Sequence, residues 1–371
     1  MTARPHNRKG DWIIMNDHRP LTRNEMKSVI EGRGAAHRVP MIIHFWTGAK
    51  TFGENEQKAQ QLLQVYPNDL QVVGIRMPQV YKGTDADPEY RWVNYDAPLT
   101  AQANAAHDAQ VAIPDWDLLD GIIENFPKAA FPDLLPGNPP DDGRYRAGHW
   151  WYWLFERHWS LRGMNNALTD YYTDPDNVHR LYRALTDFYK AAITRAKAER
   201  NLDAIITSDD IGTQTGPFFS LDIFREFFKP YYKELIWHAH SLGMHFWLHA
   251  CGNIAPFLPD LIEIGLDVIH PIQKYTMEEK HIAQTFGNDI TIWAGFDVQR
   301  TIPYGTPEDV RREVRFMMDT YARADGRFMI TAGNGITADC KVESLEALLD
   351  ESLHYGTEVI RKVLRKGRTE K

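Results

Sequence analysis

Cysteine is scarce: Cys251 and Cys340 are the two copies in 371 residues. That supply cannot build a disulfide framework in a chain this long, so stability has to come from a buried core, and reduced thiols in a cytoplasm fit best. Long apolar runs are missing as well. No stretch approaches the ~20 residues that a membrane helix needs, and the first residues, Met1 to Trp12, are polar with no apolar signal core. The expectation is a soluble, cytoplasmic protein without a membrane partner. Positive charge is not in excess either. Lys and Arg number 42 against 50 Asp and Glu, a formal charge of −8, which argues against a nucleic-acid partner. The basic end, Arg361 to Lys371, reads as a solvated helix end. No repeat at a period of roughly 20–50 residues stands out, which excludes solenoids and propellers.

What is abundant is apolar and aromatic material. Hydrophobic residues make up 43% of the chain, and several of its 11 tryptophans cluster in His149-Trp150-Trp151-Tyr152-Trp153-Leu154-Phe155. Short runs of strand character recur between helical patterns: Val39 to Trp46, Leu70 to Arg76, Trp150 to Phe155, Ala204 to Ser208, Met244 to Cys251, Asp267 to Ile272, Ile290 to Phe296 and Phe328 to Ala332. This alternation predicts an α/β fold, a (β/α)8 TIM barrel, as a single domain over residues 1–371 with an N-terminal extension. Asp174 with Pro175 marks one helix start, and Ser220 another, with Pro230 expected to kink the second helix. Residues 80–148, rich in proline, are too long for a simple connection. They read as an insertion that covers the barrel mouth and not as a separate domain.

Alternate side chains of a strand share a face, so His245, Trp247, His249 and Cys251 point one way and Met244, Phe246 and Leu248 the other. The second face suits packing against helices, which turns the first inward. Gly252 and Asn253 end the strand, leaving His249 and Cys251 at the C-terminal mouth, where barrel enzymes carry their catalytic groups. A histidine nitrogen and a thiolate so placed can chelate one zinc ion, and a catalytic zinc takes three protein ligands and keeps one position open. Cys340 is the natural third ligand, with Asp209, Asp210, Glu156 and Asn334 as alternatives. Other polar groups close other strands: Ser208-Asp209-Asp210-Ile211-Gly212-Thr213-Gln214, Glu156 and Arg157, which can pair with each other, His270 and Gln273, and Asp297 and Gln299. Their coincidence at successive strand ends suggests a pocket.

The run Gly243-Met244-His245-Phe246-Trp247-Leu248-His249-Ala250-Cys251-Gly252-Asn253, followed by Pro259 to Asp267, resembles the uroporphyrinogen decarboxylase superfamily, which includes zinc-dependent cobalamin methyltransferases. Arg162-Gly163-Met164, Ser208 to Gln214 and Gly333-Asn334-Gly335-Ile336 resemble further blocks of that superfamily. The resemblance implies the barrel fold. In the methyltransferase branch it also implies zinc on His249 and Cys251, with a later cysteine whose place falls here on Asn334. The decarboxylase branch grips its substrate with an arginine-rich loop, where this chain reads His44-Phe45-Trp46-Thr47-Gly48-Ala49-Lys50. One lysine would poorly neutralise a polycarboxylate.

The expected function is zinc-dependent methyl transfer from a small, methoxylated aromatic donor to a corrinoid carried by a partner protein, an O-demethylase type of reaction. Zinc would act as Lewis acid. Glu156, Asp209 and Asp210 are the expected proton-handling or orienting acids. Trp46, Trp153, Gln214, Trp247, His270, Gln273, Trp293 and Asn334 are the expected substrate contacts, and His249, Cys251 and Cys340 the metal ligands. A metal-free decarboxylase or related lyase, with Asp209 or Asp210 handling the proton, is the alternative.

Overall fold

Strands buried on both faces are mostly apolar, and those of this chain are, with Gln71, Arg146, His149, His245 and His249 among the polar exceptions. In a computed structural model describing residues 18–93 and 111–369, seven strands follow chain order: β1 Leu70–Gly74, β2 Tyr145–His149, β3 Ala204–Ser208, β4 His245–His249, β5 Val268–His270, β6 Thr291–Phe296 and β7 Phe328–Ala332. β3, β6 and β7 are buried at every position, as expected of parallel strands covered by helices.

The expected eight strands are therefore seven among the described residues. The run Val39 to Trp46 makes a single parallel bridge, Met41 to Ile330, before tightening into a 3-10 turn over Ile43–Trp46. Pro40 removes a ladder donor there, and the Thr47 hydroxyl donates back to Ile43 O at 2.9 Å, which favours the turn. The aromatic run Trp150 to Phe155 is not a strand either. The strand precedes it, as β2, and the aromatics form a turn with Tyr152 at φ 68° before a helix begins at Phe155.

The chain divides into two compact units. One takes Met1–Gln71, Asp142–Tyr145 and His270–Lys371, and the other Val72–Asp141 and Arg146–Ile269. In the first, β6 and β7 pair in parallel from Ile292 opposite Phe328 to Phe296 opposite Ala332, and the helices Pro307–Tyr321 and Val342–Thr369 pack together. In the second, β3 pairs in parallel with β2 and with β4, Ser208 lying opposite His249. Helix Pro175–Arg200 presents Val178, Leu181, Leu185, Phe188 and Ala192 to the core and ends on Asn201 in the left-handed region. Pro175 opens it as expected, while the Asp174 side chain makes no capping bond. Ser220 does cap, accepting from Ile223 N at 3.2 Å. Instead of a simple kink, a π-turn over Phe224–Phe228 precedes helix Lys229–Ser241 and absorbs the donor that Pro230 lacks. Of the expected insertion 80–148, residues 94–110 lie outside the described residues, as do residues 1–17 of the expected N-terminal extension.

Candidate metal centre

Two loops of the second unit are pressed backbone to backbone. A Cβ on Gly212, beyond β3, would stand 2.6 Å from Cys251 O, and one on Gly252, itself at φ +85°, would stand 2.3 Å from the Gly212 carbonyl carbon. Only glycine allows this approach. Asn253 N closes it by donating to Thr213 O at 2.7 Å, and Cys251 N donates to Asp210 Oδ1 at 2.8 Å.

The result is a group of three ligand atoms. His249 Nε2 lies 3.3 Å from Cys251 Sγ and 3.5 Å from Asp210 Oδ1, and all three atoms fall within 4.8 Å of one another. With bonds of ~2.0–2.3 Å, two ligands on a tetrahedral zinc stand roughly 3.3–3.7 Å apart, a range that the separations of His249 from Cys251 and from Asp210 meet. Burial pushes the His249 imidazole below the ordinary histidine range, against the pull of Asp210, which favours the neutral ring that a metal requires. The third member of the group is Asp210. Cys340 belongs to the other unit, where it is buried with Sγ 3.4 Å from Lys341 O; burial, then Asp339, raises its thiol to about 12.

Asp209 and Glu156 stand beside this group with different tasks. Asp209 accepts from Leu154 N, Phe155 N and Glu156 N at 3.0, 3.0 and 2.8 Å and from the Tyr232 hydroxyl at 2.5 Å. It caps helix Phe155–Arg162 from a distant strand end, and burial still lifts it to about 6. Glu156 is also buried and accepts from the Ser208 hydroxyl. Burial, then the nearby Asp210 and Asp209 charges, raise its carboxyl well above the usual range.

The remaining expected site residues scatter. Trp153 is fully buried, stacked on Tyr232 with ring centroids 3.7 Å apart, and Trp247 is likewise in the core. Gln214 is exposed in the turn from Thr213 to Gly216. In the first unit His270 is buried, stacked on Trp46 at 5.2 Å and 4.4 Å from Trp293, with Nε2 3.0 Å from Ala332 O. The geometry is that of a histidine held in an aromatic core. Gln273 O accepts from the Thr276 hydroxyl, and exposed Asn334 bonds its neighbour Gly335 N.

Sequence reasoning missed His149, Trp151 and Tyr152. The His149 ring lies 4.2 Å from that of Trp151, which lies 5.8 Å from that of His249. Burial, then His249, push His149 down to about 4. Reading the aromatic run as a strand hid them, although the succession of bulky rings with no polar alternation was a signal against a half-exposed strand. Arg157 does not pair with Glu156 as expected; its guanidinium lies over the rings of Trp92 and Tyr152.

A family model described as uroporphyrinogen decarboxylase matches residues 159–354, a span that contains Asp210, His249 and Cys251. A methylated-thiol–coenzyme M methyltransferase of Methanosarcina mazei is 26% identical over 187 residues, 50% of this chain and 47% of that protein. The chain thus spans about half the length of the curated relative it matches. A solved methyltransferase from Methanosarcina mazei aligns over 90% of this chain and 99% of its own with a TM-score of 0.59 at 15% identity, a likeness of fold. With the model covering more than half of its residues, the chain belongs to the uroporphyrinogen decarboxylase family.

Proposed function

We propose that this chain is a zinc-dependent methyltransferase that moves a methyl group from a small, methoxylated donor to a corrinoid carried by a partner protein. The observation that carries the reading is the group Asp210, His249 and Cys251, three unlike donors at zinc-compatible spacing. The methyltransferase relatives support the reaction class. Zinc held by these residues would supply Lewis acidity to the donor's heteroatom. Asp210 keeps one carboxylate oxygen on Cys251 N, which orients it toward the other two. Asp209 fixes the start of helix Phe155–Arg162 and thereby the place of Glu156. Glu156, whose carboxyl is raised well above the usual range by burial and then by its acidic neighbours, is the group beside the centre that would hand a proton to the departing heteroatom.

The test is zinc content of protein purified under reducing, chelator-free conditions, with methyl transfer from methoxylated donors to reduced cobalamin. The expected outcome is about one zinc per chain, lost in Cys251→Ser and Asp210→Asn; Cys340→Ser reports whether the second thiol adds a ligand. A wild type without zinc that still decarboxylates an acid would favour the metal-free lyase, with Glu156 as its proton donor.

A further inference from the structure

Beside the metal centre the second unit contains a cleft of about 520 Å³, within the roughly 300–1,000 Å³ range of small-molecule sites. Met77, Pro78, Pro136, Trp150, Trp151 and Tyr152 supply apolar and aromatic wall. His149 and Trp151 line it too, and through the Trp151 ring it borders His249.

One charged side chain is buried in this wall. Arg157 is 4% exposed, with its guanidinium carbon 5.1 Å from the Trp92 ring centroid and 5.4 Å from that of Tyr152. Ring contacts hold a cation without using its N–H donors. Nη1 has a long 3.4 Å contact with Ser160 Oγ, and Nε is buried with no acceptor. Among the described residues no carboxylate forms an ion pair with it, since Glu156 is bound to Ser208 instead.

A structural role accounts poorly for this arrangement. Arg157 sits in the first turn of its helix, where the helix dipole disfavours a cation. A buried charge is normally paired, and on this same helix Arg162 is paired, with two hydrogen bonds to Asp170. Arg157, with the Tyr189 hydroxyl and Ser160 beside it, is a buried cation that no carboxylate among the described residues pairs, at the wall of a cleft that has room for an anion.

We infer that Arg157 anchors the anionic end of the methyl donor, so that the cleft takes a flat aromatic acid with a single carboxylate, its opposite end directed at the metal centre. One buried cation calls for one carboxylate; Arg76, the cleft's other arginine, is exposed at the rim. This assignment rests on the reading of the centre as a methyltransferase site, but binding alone tests it.

Benzoate and its neutral isostere benzamide are titrated into the protein, with and without prior metal removal, and followed by tryptophan fluorescence and calorimetry. Benzoate binds at least 10-fold more tightly than benzamide to the wild type. Arg157→Gln removes that preference by weakening benzoate alone, and Arg157→Lys restores part of it. Equal binding of the two ligands to the wild type, or no binding of either, overturns the assignment without any variant; so does a preference that survives in Arg157→Gln. If no methyl transfer is ever found but the Arg157-dependent preference holds, the anion site stands and the methyltransferase reading falls. The reverse result separates them the other way.

Discussion

The two ends of helix Phe155–Arg162 carry the same kinds of residue in opposite states. At its C-terminal end, Arg162 donates to both oxygens of Asp170 at 2.9 and 2.7 Å and to Ile113 O at 2.6 Å. His158 sits between Asp170 and the Tyr182 hydroxyl, 3.2 Å from each. Every charge there has an opposite. At the N-terminal end, the acids Asp209, Asp210 and Glu156 gather with no Lys or Arg among the described residues ion-paired to them; the nearest ring to Asp210 is His249, kept neutral by burial, and Arg157 has no acid. Burial acts on both ends alike. It would raise Asp170, but hydrogen bonds from Arg162 and His158 outweigh it and hold that carboxyl near 2, whereas Asp209 rises to about 6 although four donors surround it. Matched charges make a strut; unmatched ones, kept in a buried place, mark where a ligand or metal has to complete the set.

The comparison breaks most visibly if the strut is cut. Asp170→Ala leaves Arg162 and His158 buried without their acceptor and should cost about 3–5 kcal/mol of stability, read as a fall in urea midpoint. Next in size is the loss of a ligand at the other end. Cys251→Ser should lower zinc affinity by at least about 100-fold, the upper end of what outer-shell changes do, while circular dichroism of the folded chain stays that of the wild type. An Asp170→Ala protein as stable as the wild type, or a Cys251→Ser protein with full zinc, would erase the distinction between strut and site.

A smaller effect follows from pH. The folded pKa of Asp170 lies below its unfolded value of 3.8, so its stabilisation is complete above about pH 4 and is lost as pH falls toward 2. A shift of nearly two units corresponds to about 2 kcal/mol. Urea midpoints between pH 5 and pH 2 should fall by that much more in the wild type than in Asp170→Asn.

How much of this was legible beforehand depended on whether the cause was local. The alternation of β4 carried on to Cys251, two residues past the end of the strand, needs only a local pattern and a glycine, so His249 and Cys251 were recoverable as a pair although the expected strand ran too far, and the Ser220 cap likewise needs only three residues. Asp210 as the third ligand depends on Gly212 meeting Gly252 across two loops, which no window of sequence contains. The misread stretch Trp150 to Phe155 fails for the same reason. Its helix starts where it does because the Asp209 carboxylate arrives from β3 to satisfy three orphan amides. The expected pairing of Glu156 with Arg157 could have been rejected from sequence had the segment been seen as helix, because adjacent residues on a helix do not face each other.

The mildest prediction sharpens the comparison furthest. Arg157→Met keeps length and apolar bulk over Trp92 and Tyr152 while deleting a buried cation that no carboxylate neutralises. The lost cation–π contacts are worth about 0.5–2 kcal/mol in all, and release from burying an unpaired charge offsets them. The change in stability should therefore stay within about 1 kcal/mol in either direction, measured as urea midpoint beside Arg162→Met. That second variant strands Asp170 and should lose several times more, on the order of 3–5 kcal/mol. Five residues apart on one helix, with the same side chain and similar burial, the two arginines then differ in their acceptors: Arg162 has an acid and the Ile113 and Pro114 carbonyls within the protein, and Arg157 has neither among the described residues. Equal losses in the two variants would mean that Arg157 has a structural partner after all, and the N-terminal end of the helix would be a second strut.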